Sequence, residues 1–431
     1  MPRRQLSLAL FAGLPSAASW RAGAWLAVRL LAAPPFALAL FAGPLLAQQS
    51  AADSIVVDTV APGLVHTYVV RQQGPWRVHL VRVDLTGGRY AVHTARALDS
   101  LRGRETVSAI AARARRAGRD VRVALNADFF DLKSGESVNN QVSGGRVWKA
   151  LAMRGAPSGA SSGAVRSPRA QFGVLRGGRP VIDRFVFAGV VQAGCARWAL
   201  DGVNDIPSNG QGLVLWLPEA NGRPRADSAH VGRELHVVVE DGSWRDSLRL
   251  RARGQPTAAD ATPLPAGDGA LVAYGAATAR LDSVAACSPP LVVRAGWLPS
   301  VGVIDELVGG WPVILRDGVP MVEQSAVQEL TLKGNANVRH PRSLVGFDAD
   351  TTHLFLVAID GRSPSSVGMT LQEAAEFLRS QGVAHAVNLD GGGSTALVID
   401  GRVANKPSDP AGERAVANVL LVESVRRPPP R

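Results

Sequence analysis

Apolar residues recur along this chain with two different periods, and these periods predict its secondary structure. Between residues 54 and 92, runs rich in valine, leucine and tyrosine alternate with turns and predict strands. Two other stretches carry apolar residues at helical spacing and predict helices over 106–118 and 370–381. In the second of these, Thr370 and Glu373 have the spacing of a capping box, which favours a structural role for Glu373.

Short apolar strands in several parts of the chain end at polar residues. Strands are predicted at 121–125, 354–359 and 384–389, and a helix separates the last two. Folds with a strand, helix, strand order place ligands at strand ends. The fold class we expect is α/β of the α+β type: a β-rich mixed sheet domain with few helices and its sites at strand ends.

The chain divides into an N-terminal export segment, one domain and a short tail. Residues 1–47 begin with arginines and continue with an apolar run that ends at a plausible cleavage site, which predicts a signal peptide. An uncleaved membrane anchor is the alternative for this segment. Residues 48–425 form the domain, within which 155–300 reads as a β-rich elaboration, and 426–431 form the tail.

Composition and charge narrow the classes of function. Hydrophobic residues make up 46% and charged residues 19% of the 431, which excludes a disordered chain. The formal net charge of +11 suggests a nucleic-acid partner, but the basic residues are scattered. Their densest group lies on the first predicted helix, where a solvated face is the simpler interpretation. We therefore expect an exported protein without a nucleic-acid partner. An oxidising compartment would permit a disulfide between Cys195 and Cys287, and the sequence leaves open whether it forms.

The most specific local motif is Asn388-Leu389-Asp390-Gly391-Gly392-Gly393-Ser394, which follows a buried strand. Three consecutive glycines cost backbone entropy and contribute no packing. They are expected where a ligand approaches backbone N–H groups closely, because successive N–H groups can form a concave anion site. A tight hairpin in which Asp390 caps its own turn is the structural alternative.

Three further groups place polar residues beside predicted strands. His340 and Arg342 flank a proline, and an arginine fork suits phosphate or carboxylate. Asn126 and Asp128 follow the strand at 121–125, where the alternatives are substrate contact and an Asx turn. Asp360 begins an Asp-Gly-Arg turn after the strand at 354–359. No zinc-binding spacing of histidines or cysteines is present in the sequence.

Together these motifs resemble the phosphodiester glycosidase family. The resemblance spans roughly residues 57–422 and so covers the domain 48–425, although 155–300 matches loosely. The chain departs from the family pattern at Ser343, where threonine is usual, and at Trp311, where a small residue is usual. Further matching segments are 126–130, Asn139, 309–318, 340–346, 360–362, 368–371, 388–395, 405–409, 412–414 and Asn418.

The resemblance implies hydrolysis of the bond between a sugar anomeric carbon and a phosphodiester. In this hypothesis Asp390 is the nucleophile or base, and Asp128 or Asp360 is the second carboxylate. Arg342 and the glycine backbone hold the phosphate, with assistance from His340. The predicted substrate-binding residues are Asn126, Asn388, Gly391, Gly392, Gly393, Ser394, Arg362, Asn405 and Arg414.

Two other functions fit the same residues. One is a metal-dependent phosphodiesterase that cleaves the P–O bond, with Asp128, Asp360 and Asp390 as ligands of a divalent cation. The other is a non-catalytic binder of anionic envelope glycans. In all three cases the expected partner is a sugar phosphodiester or an anionic glycan, and contact with a membrane is expected only through an uncleaved N-terminal segment.

Overall fold

Antiparallel strands make up most of this protein, whose structure is a computed structural model. It describes residues 52–152, 169–194, 196–207, 209–220, 225–226, 230–260, 262–287, 290–330 and 333–425. The signal peptide expected over 1–47, the tail over 426–431 and Cys195 lie outside the described residues. Cys287 is disulfide-bonded.

The strands fall into sheets of eight, thirteen, five and two strands. In chain order they are β1 (Ser54–Ala61), β2 (Leu64–Arg71), β3 (Trp76–Asp84), β4 (Tyr90–Arg96), β5 (Val121–Asn126), β6 (Gln141–Ser143), β7 (Arg146–Leu151), β8 (Gln171–Leu175), β9 (Pro180–Asp183), β10 (Val186–Phe187), β11 (Gly189–Ala193), β12 (Ala196–Leu200), β13 (Gly202–Val203), β14 (Gly212–Trp216), β15 (Gly232–Ser243), β16 (Ser247–Ala258), β17 (Asp268–Tyr274), β18 (Leu291–Arg294), β19 (Trp297–Leu298), β20 (Ile304–Gly309), β21 (Val313–Arg316), β22 (Val319–Pro320), β23 (Arg342–Phe347), β24 (His353–Ile359), β25 (His385–Asn388), β26 (Leu397–Ile399), β27 (Arg402–Val403) and β28 (Asn418–Ser424).

The helices are few and short, as the sequence predicts. The α-helices are α1 (Val107–Arg116), α2 (Thr278–Ala286), α3 (Val322–Gln328), α4 (Lys333–Ala336) and α5 (Leu371–Ser380). Single 3₁₀ turns lie at Ala97–Asp99, Pro218–Ala220, Gly275–Ala277 and Gly392–Ser394. Of the described helices, none is long and apolar enough to cross a bilayer.

Two sheets pack face to face and carry a helix on each outer side. The eight-stranded sheet has the order β1-β2-β3-β24-β23-β25-β21-β22, and the five-stranded sheet has the order β27-β26-β5-β28-β4. Between them lies a core that includes Val81, Leu125, Leu356 and Leu420. The other face of the first sheet packs on α5, and that of the second packs on α1. The result is four layers held by apolar burial.

A thirteen-stranded sheet, β12-β11-β18-β16-β15-β17-β14-β13-β7-β6-β20-β8-β9, holds most of the middle of the chain. It has its own core around Leu215, Leu271 and Phe187, and its strand β8 adds Phe172 to the core between the two other sheets. The described part of 155–300 thus contributes most of the strands of this sheet.

The fold class is confirmed as β-rich with few helices, but the strand order differs from a parallel α/β unit. Strands β24 and β25 flank α5 in sequence, yet each pairs antiparallel with β23, which lies between them. The paired strands in these sheets are antiparallel except for β13 with β14. Polar residues still gather at strand ends, because β5 and β25 finish at the same edge of the two facing sheets.

Both helix predictions are confirmed, including their N-caps. Thr106 accepts a hydrogen bond from Ala109 N at the start of α1. Thr370 and Glu373 form a complete capping box at the start of α5, and Arg339 pairs with the same glutamate. The densest basic group of the sequence, on the first helix, makes ion pairs within the protein. Arg113, for example, pairs with Asp99 and Glu105.

We expect Thr370→Ala to destabilise the protein by about 1 kcal/mol, because it leaves an N-terminal N–H group of α5 without its acceptor. Urea unfolding followed by far-UV circular dichroism measures the change. Gln372→Ala, on the exposed face of the same helix, is the control and should stay within about 0.5 kcal/mol of the wild type. Equal effects of the two substitutions would contradict a capping role.

Candidate functional site

The ends of β5 and β25 are fastened to each other by hydrogen bonds. Asn126 Nδ2 donates to the carbonyl oxygen of Asp390 at 2.6 Å, and Asp390 N donates to the carbonyl oxygen of Ala127 at 2.8 Å. Asn126 Oδ1 accepts from the Ser343 hydroxyl at 2.6 Å and from Ala396 N at 3.1 Å. These bonds fix the positions of the residues that follow the two strands, Asp128 and Asp390.

The triple-glycine turn and the Pro-Arg loop converge, as the sequence hypothesis requires. Gly392 N donates to the carbonyl oxygen of Pro341 at 2.9 Å. A Cβ atom on Gly391 would lie 2.7 Å from that same oxygen, so only glycine fits there. Gly392 has a φ of 60°, in the left-handed region that favours glycine. The two segments therefore share one region of the molecule.

Asp128 is a buried carboxylate held in one orientation. It is 1% exposed, and Asn139 donates to both of its oxygens, from Nδ2 at 2.7 Å and from N at 3.1 Å. Its own N–H donates to Asn418 Oδ1 at 2.8 Å. Burial raises its pKa to about 6, against the opposing effect of the Asn139 hydrogen bonds.

Asp390 is a second carboxylate in the same region, and it retains some contact with solvent. Burial raises its pKa to about 6, and the charge of Asp128 raises it further. The two aspartates therefore interact electrostatically. A pair of carboxylates with raised pKa values, one of them partly exposed, is a candidate for acid–base or nucleophilic chemistry.

Two arginines cover the glycine turn from outside. A Cβ on Gly392 would lie 2.8 Å from an Arg362 guanidinium nitrogen, and one on Gly393 would meet the guanidinium of Arg414. Arg414 Nε donates to Asp409 Oδ2 at 2.9 Å. Arg362 is exposed and has no hydrogen bond or ion pair with any residue that the structure describes. It is therefore the cation at this turn that is available to an anionic ligand.

Arg342 does not have the predicted role in phosphate binding. Its side chain is 2% exposed, and its guanidinium donates to the carbonyl oxygens of Met369, Asn335 and Val338 and to Asn335 Oδ1. Burial lowers its pKa to about 10. The arginine fork fastens the loop before β23 instead of facing a ligand, because backbone carbonyls already occupy its donors.

The glycine backbone offers less to an anion than the sequence predicts. Gly392 N–H bonds to the carbonyl oxygen of Pro341. The concave site of three successive free N–H groups is thus not formed, since the middle donor is used inside the turn. Ser394 is buried, and its hydroxyl has no hydrogen-bond partner among the described residues.

The three asparagines expected to orient sugar hydroxyls are buried structural residues. Asn126 uses its amide for the strand-end bonds described above, and Asn405 uses its amide to bond Asp360, Thr395 and Leu397. Asn388 Nδ2 donates to the carbonyl oxygen of Trp311 at 2.6 Å. Asn388 Oδ1 has no partner among the described residues and is the one unsatisfied amide oxygen of the three.

Asp360 lies apart from the aspartate pair. It is 5% exposed and accepts hydrogen bonds from Lys406 N and Asn405 Nδ2, and burial raises its pKa. Its structural role is to hold the segment that begins at Asn405. In the described part of the chain, no three His, Cys, Asp or Glu side chains are grouped as metal ligands, so the three aspartates do not form the expected cation site.

His340 is half-buried at the edge of this region. Its backbone pairs with Met369, and burial lowers its pKa, as does the nearby charge of Arg342. A neutral imidazole close to Arg362 is compatible with an assisting role at the anion site. The structure shows no hydrogen bond from its ring to either aspartate among the described residues.

Sequence reasoning missed the residues behind Asp128. A Cβ on Gly309 would lie 2.2 Å from Asp128 Oδ1, so the end of β20 presses against the carboxylate. The Gly309-Gly310 pair after a strand is the signal that indicates such a close approach. Lys149 and Arg169 oppose the raised pKa of Asp128 by their charge.

Trp311 packs against the residue that follows this carboxylate in the chain. Its ring meets Phe129 edge-on, with centroids 5.9 Å apart, and the Arg169 guanidinium lies 4.5 Å from its centroid. Its indole N–H donates to the carbonyl oxygen of Glu329 at 2.9 Å, which fixes the ring. The residue at which the sequence departs from the family pattern therefore lies at the site.

Comparison with known proteins identifies sequence relatives of this chain. Residues 229–423 match the phosphodiester glycosidase family. The chain is 33% identical over 157 residues to the N-acetylglucosamine-1-phosphodiester alpha-N-acetylglucosaminidase of Mus musculus, a match that covers 32% of this chain and 30% of the mouse protein. The chain spans less than a third of the length of the curated relatives it matches.

Solved structures share the fold. A hypothetical protein from Synechocystis superposes with a TM-score of 0.64 at 19% identity, covering 87% of this chain and 64% of that one. A protein from Burkholderia pseudomallei superposes with a TM-score of 0.58 at 23% identity, covering 81% and 74%. From the match over residues 229–423 and the related enzymes, the C-terminal part of this chain is similar to the phosphodiester glycosidase family.

Proposed function

We propose that this protein hydrolyses the glycosidic bond of a sugar-1-phosphodiester and releases the free sugar and a phosphomonoester. The observation that carries the proposal is the juxtaposition of two carboxylates of raised pKa with a glycine turn covered by Arg362 and Arg414. The family and the named mouse relative support the same chemistry.

A phosphate leaving group explains why the site combines these parts. A phosphomonoester has a second pKa of about 6, so it leaves without a strong general acid. The charge that needs stabilisation is on the departing phosphate, which favours arginine, and on the oxocarbenium-like carbon, which favours a carboxylate. Asp390 begins the glycine turn and Arg362, from the segment after β24, lies against that turn, so the two residues meet these needs side by side.

The two aspartates have different positions in this scheme. Asp390 contacts solvent at the glycine turn and acts as the nucleophile or base toward the sugar carbon or water. Asp128, which is 1% exposed and clamped by Asn139, is the second carboxylate. Its charge raises the pKa of Asp390, so the pair shares protons near neutral pH rather than ionising independently.

The phosphate is held in this proposal by Arg362, with Arg414 as a second cation. The Arg362 guanidinium is free of bonds to described residues, whereas Asp409 holds Arg414. This assignment replaces Arg342, whose donors are occupied. A bidentate arginine contact to phosphate provides orientation as well as charge.

The protein works outside the cytoplasm in this proposal. The arginines and the apolar run of residues 1–47 support export, and the disulfide bond of Cys287 is suited to an oxidising compartment. Periplasmic and secreted locations both satisfy these observations, so the substrate is expected among envelope or external sugar phosphodiesters.

The reaction is tested with an N-acetylglucosamine-1-phosphodiester in ¹⁸O-labelled water. Cleavage of the glycosidic bond gives N-acetylglucosamine that carries the label and an unlabelled phosphomonoester. A phosphodiesterase would instead give the sugar-1-phosphate or a labelled phosphate, and a binding protein would give no product. Either of those results overturns the proposal for this substrate class.

Asp390→Asn is expected to reduce turnover by at least about 10³-fold, because an amide is neither nucleophile nor base. The far-UV spectrum and unfolding midpoint should show a folded protein, since Asn and Asp side chains have nearly the same size and shape. Asp350→Asn, at an exposed turn distant in sequence, is the matched control. Retained turnover in Asp390→Asn would remove this residue from the chemistry.

The same substitution is expected to stabilise the protein at high pH. The pKa of Asp390 is raised to about 6 in the folded state, against about 4 when unfolded, so folding loses stability as pH rises through this interval. Asp390→Asn should therefore exceed the wild type by about 1–2 kcal/mol at pH 8 and by little below pH 4. Urea unfolding at both pH values measures the difference. A variant less stable than the wild type at pH 8 would contradict the raised pKa.

Arg362→Gln is expected to lower kcat/KM by about 10- to 100-fold, the effect of losing one charged hydrogen bond to phosphate. Arg379→Gln, which removes an exposed arginine from α5, is the matched control for net charge. Competition by inorganic phosphate should weaken in parallel in Arg362→Gln. Unchanged phosphate inhibition in that variant would place the anion elsewhere.

A further inference from the structure

A cavity of about 510 Å³ lies in the thirteen-stranded sheet, and neither Asp128 nor Asp390 lines it. Four segments surround it: the β6–β7 turn, the residues after β14, the β15–β16 hairpin and the start of β17. Its volume is within the range of small-molecule sites, which is about 300–1,000 Å³. It is therefore large enough for a ligand of its own.

The lining of this cavity is apolar on one part and polar on another. Trp244 and the aliphatic side chains of Leu217, Val239 and Leu248 form the apolar part. Arg146, Glu219, Ser243 and Asp268 form the polar part. A small-molecule ligand of this cavity must therefore have both an apolar face and hydrogen-bonding groups.

The polar part offers acceptors rather than free positive charge. Arg146 pairs with Glu219 Oε1, which neutralises the arginine. Glu219 Oε2 is buried and has no hydrogen-bond partner among the described residues. Asp268 adds a second carboxylate, 3.4 Å from Arg253. This balance disfavours a phosphate or another anion and favours a ligand that donates from hydroxyl groups.

We infer that this cavity is a binding site for a neutral saccharide, separate from the aspartate pair. A pyranose ring has an apolar C–H face, which suits the apolar part of the lining, and a rim of hydroxyl donors, which suits Glu219 and Asp268. The inference does not depend on the reaction proposed above.

Gly144 provides a way to block the cavity without disturbing the fold. It lines the cavity with a φ of 60°, and a Cβ at this position would have no atom within 4 Å. Gly144→Asn creates an Asn-Gly pair in the β6–β7 turn, a sequence that such hairpins favour. Gly177→Asn makes the corresponding change in the β8–β9 turn, where a Cβ also meets open space, and this glycine does not line the cavity.

The test is calorimetric titration of the wild-type protein and variants with cellobiose, maltose and N,N′-diacetylchitobiose at millimolar concentrations. We expect at least one of these to bind, and Gly144→Asn and Glu219→Gln each to weaken that binding about tenfold or more, as for one hydrogen bond to a charged group. Gly177→Asn and Asp390→Asn should bind as the wild type does. Thermal unfolding of each variant confirms that it is folded.

Three results would overturn the inference. They are the absence of binding by all three sugars, binding that neither Gly144→Asn nor Glu219→Gln weakens, and loss of binding in Asp390→Asn. The last result would place the sugar at the aspartate pair. Because the titration measures binding, failure of the proposed hydrolysis would leave this test unaffected.

Discussion

The site depends on one constraint, which is that a buried polar side chain must find its hydrogen-bond partners. Asn126 meets this constraint by bonding to the backbone of Asp390, to Ser343 and to Ala396. Through these contacts one amide joins the end of β5 in one sheet to the turn after β25 in the other. The two aspartates are held together because the strand ends are, and no flexible loop has to bring them into contact.

The burial that orders the site also reduces the stability of the folded protein. The ionised forms of Asp128 and Asp390 would each be better solvated in water, which is why burial raises their pKa values. Asn139 offsets part of this cost by donating to the Asp128 carboxylate. A protein selected for stability alone would not retain two interacting carboxylates here, so the pair is best understood through its chemistry.

Sequence periodicity predicted the parts of the fold that local physics determines. The apolar faces and N-caps of α1 and α5 could be predicted because helical spacing and capping are short-range properties. The ends of β5, β24 and β25 were predicted to within one residue because apolar runs stopped at polar residues. The pairing of β24 and β25 with β23 was not, since antiparallel register across distant segments leaves no local signal.

The candidate site, too, could be predicted from the sequence only in part. Asp128, Asp390 and the convergence of the glycine turn with the Pro-Arg loop followed from motifs. The roles of Arg342, Asn126 and Asn405 did not, because a motif does not show whether a donor faces a ligand or a backbone carbonyl. Three-dimensional contacts are what separate Arg342, with its donors filled, from Arg362, with its guanidinium unbonded.

The contact of Gly309 with Asp128 has a consequence for redesigning this site. Backbone occupies the space behind the carboxylate, so no side chain can be introduced there without displacing it. Mutant libraries would lose most of their folded members if they varied Gly309. Diversity belongs instead at Phe129, Arg169 and Trp311, whose contacts with one another are made by side chains rather than by main chain.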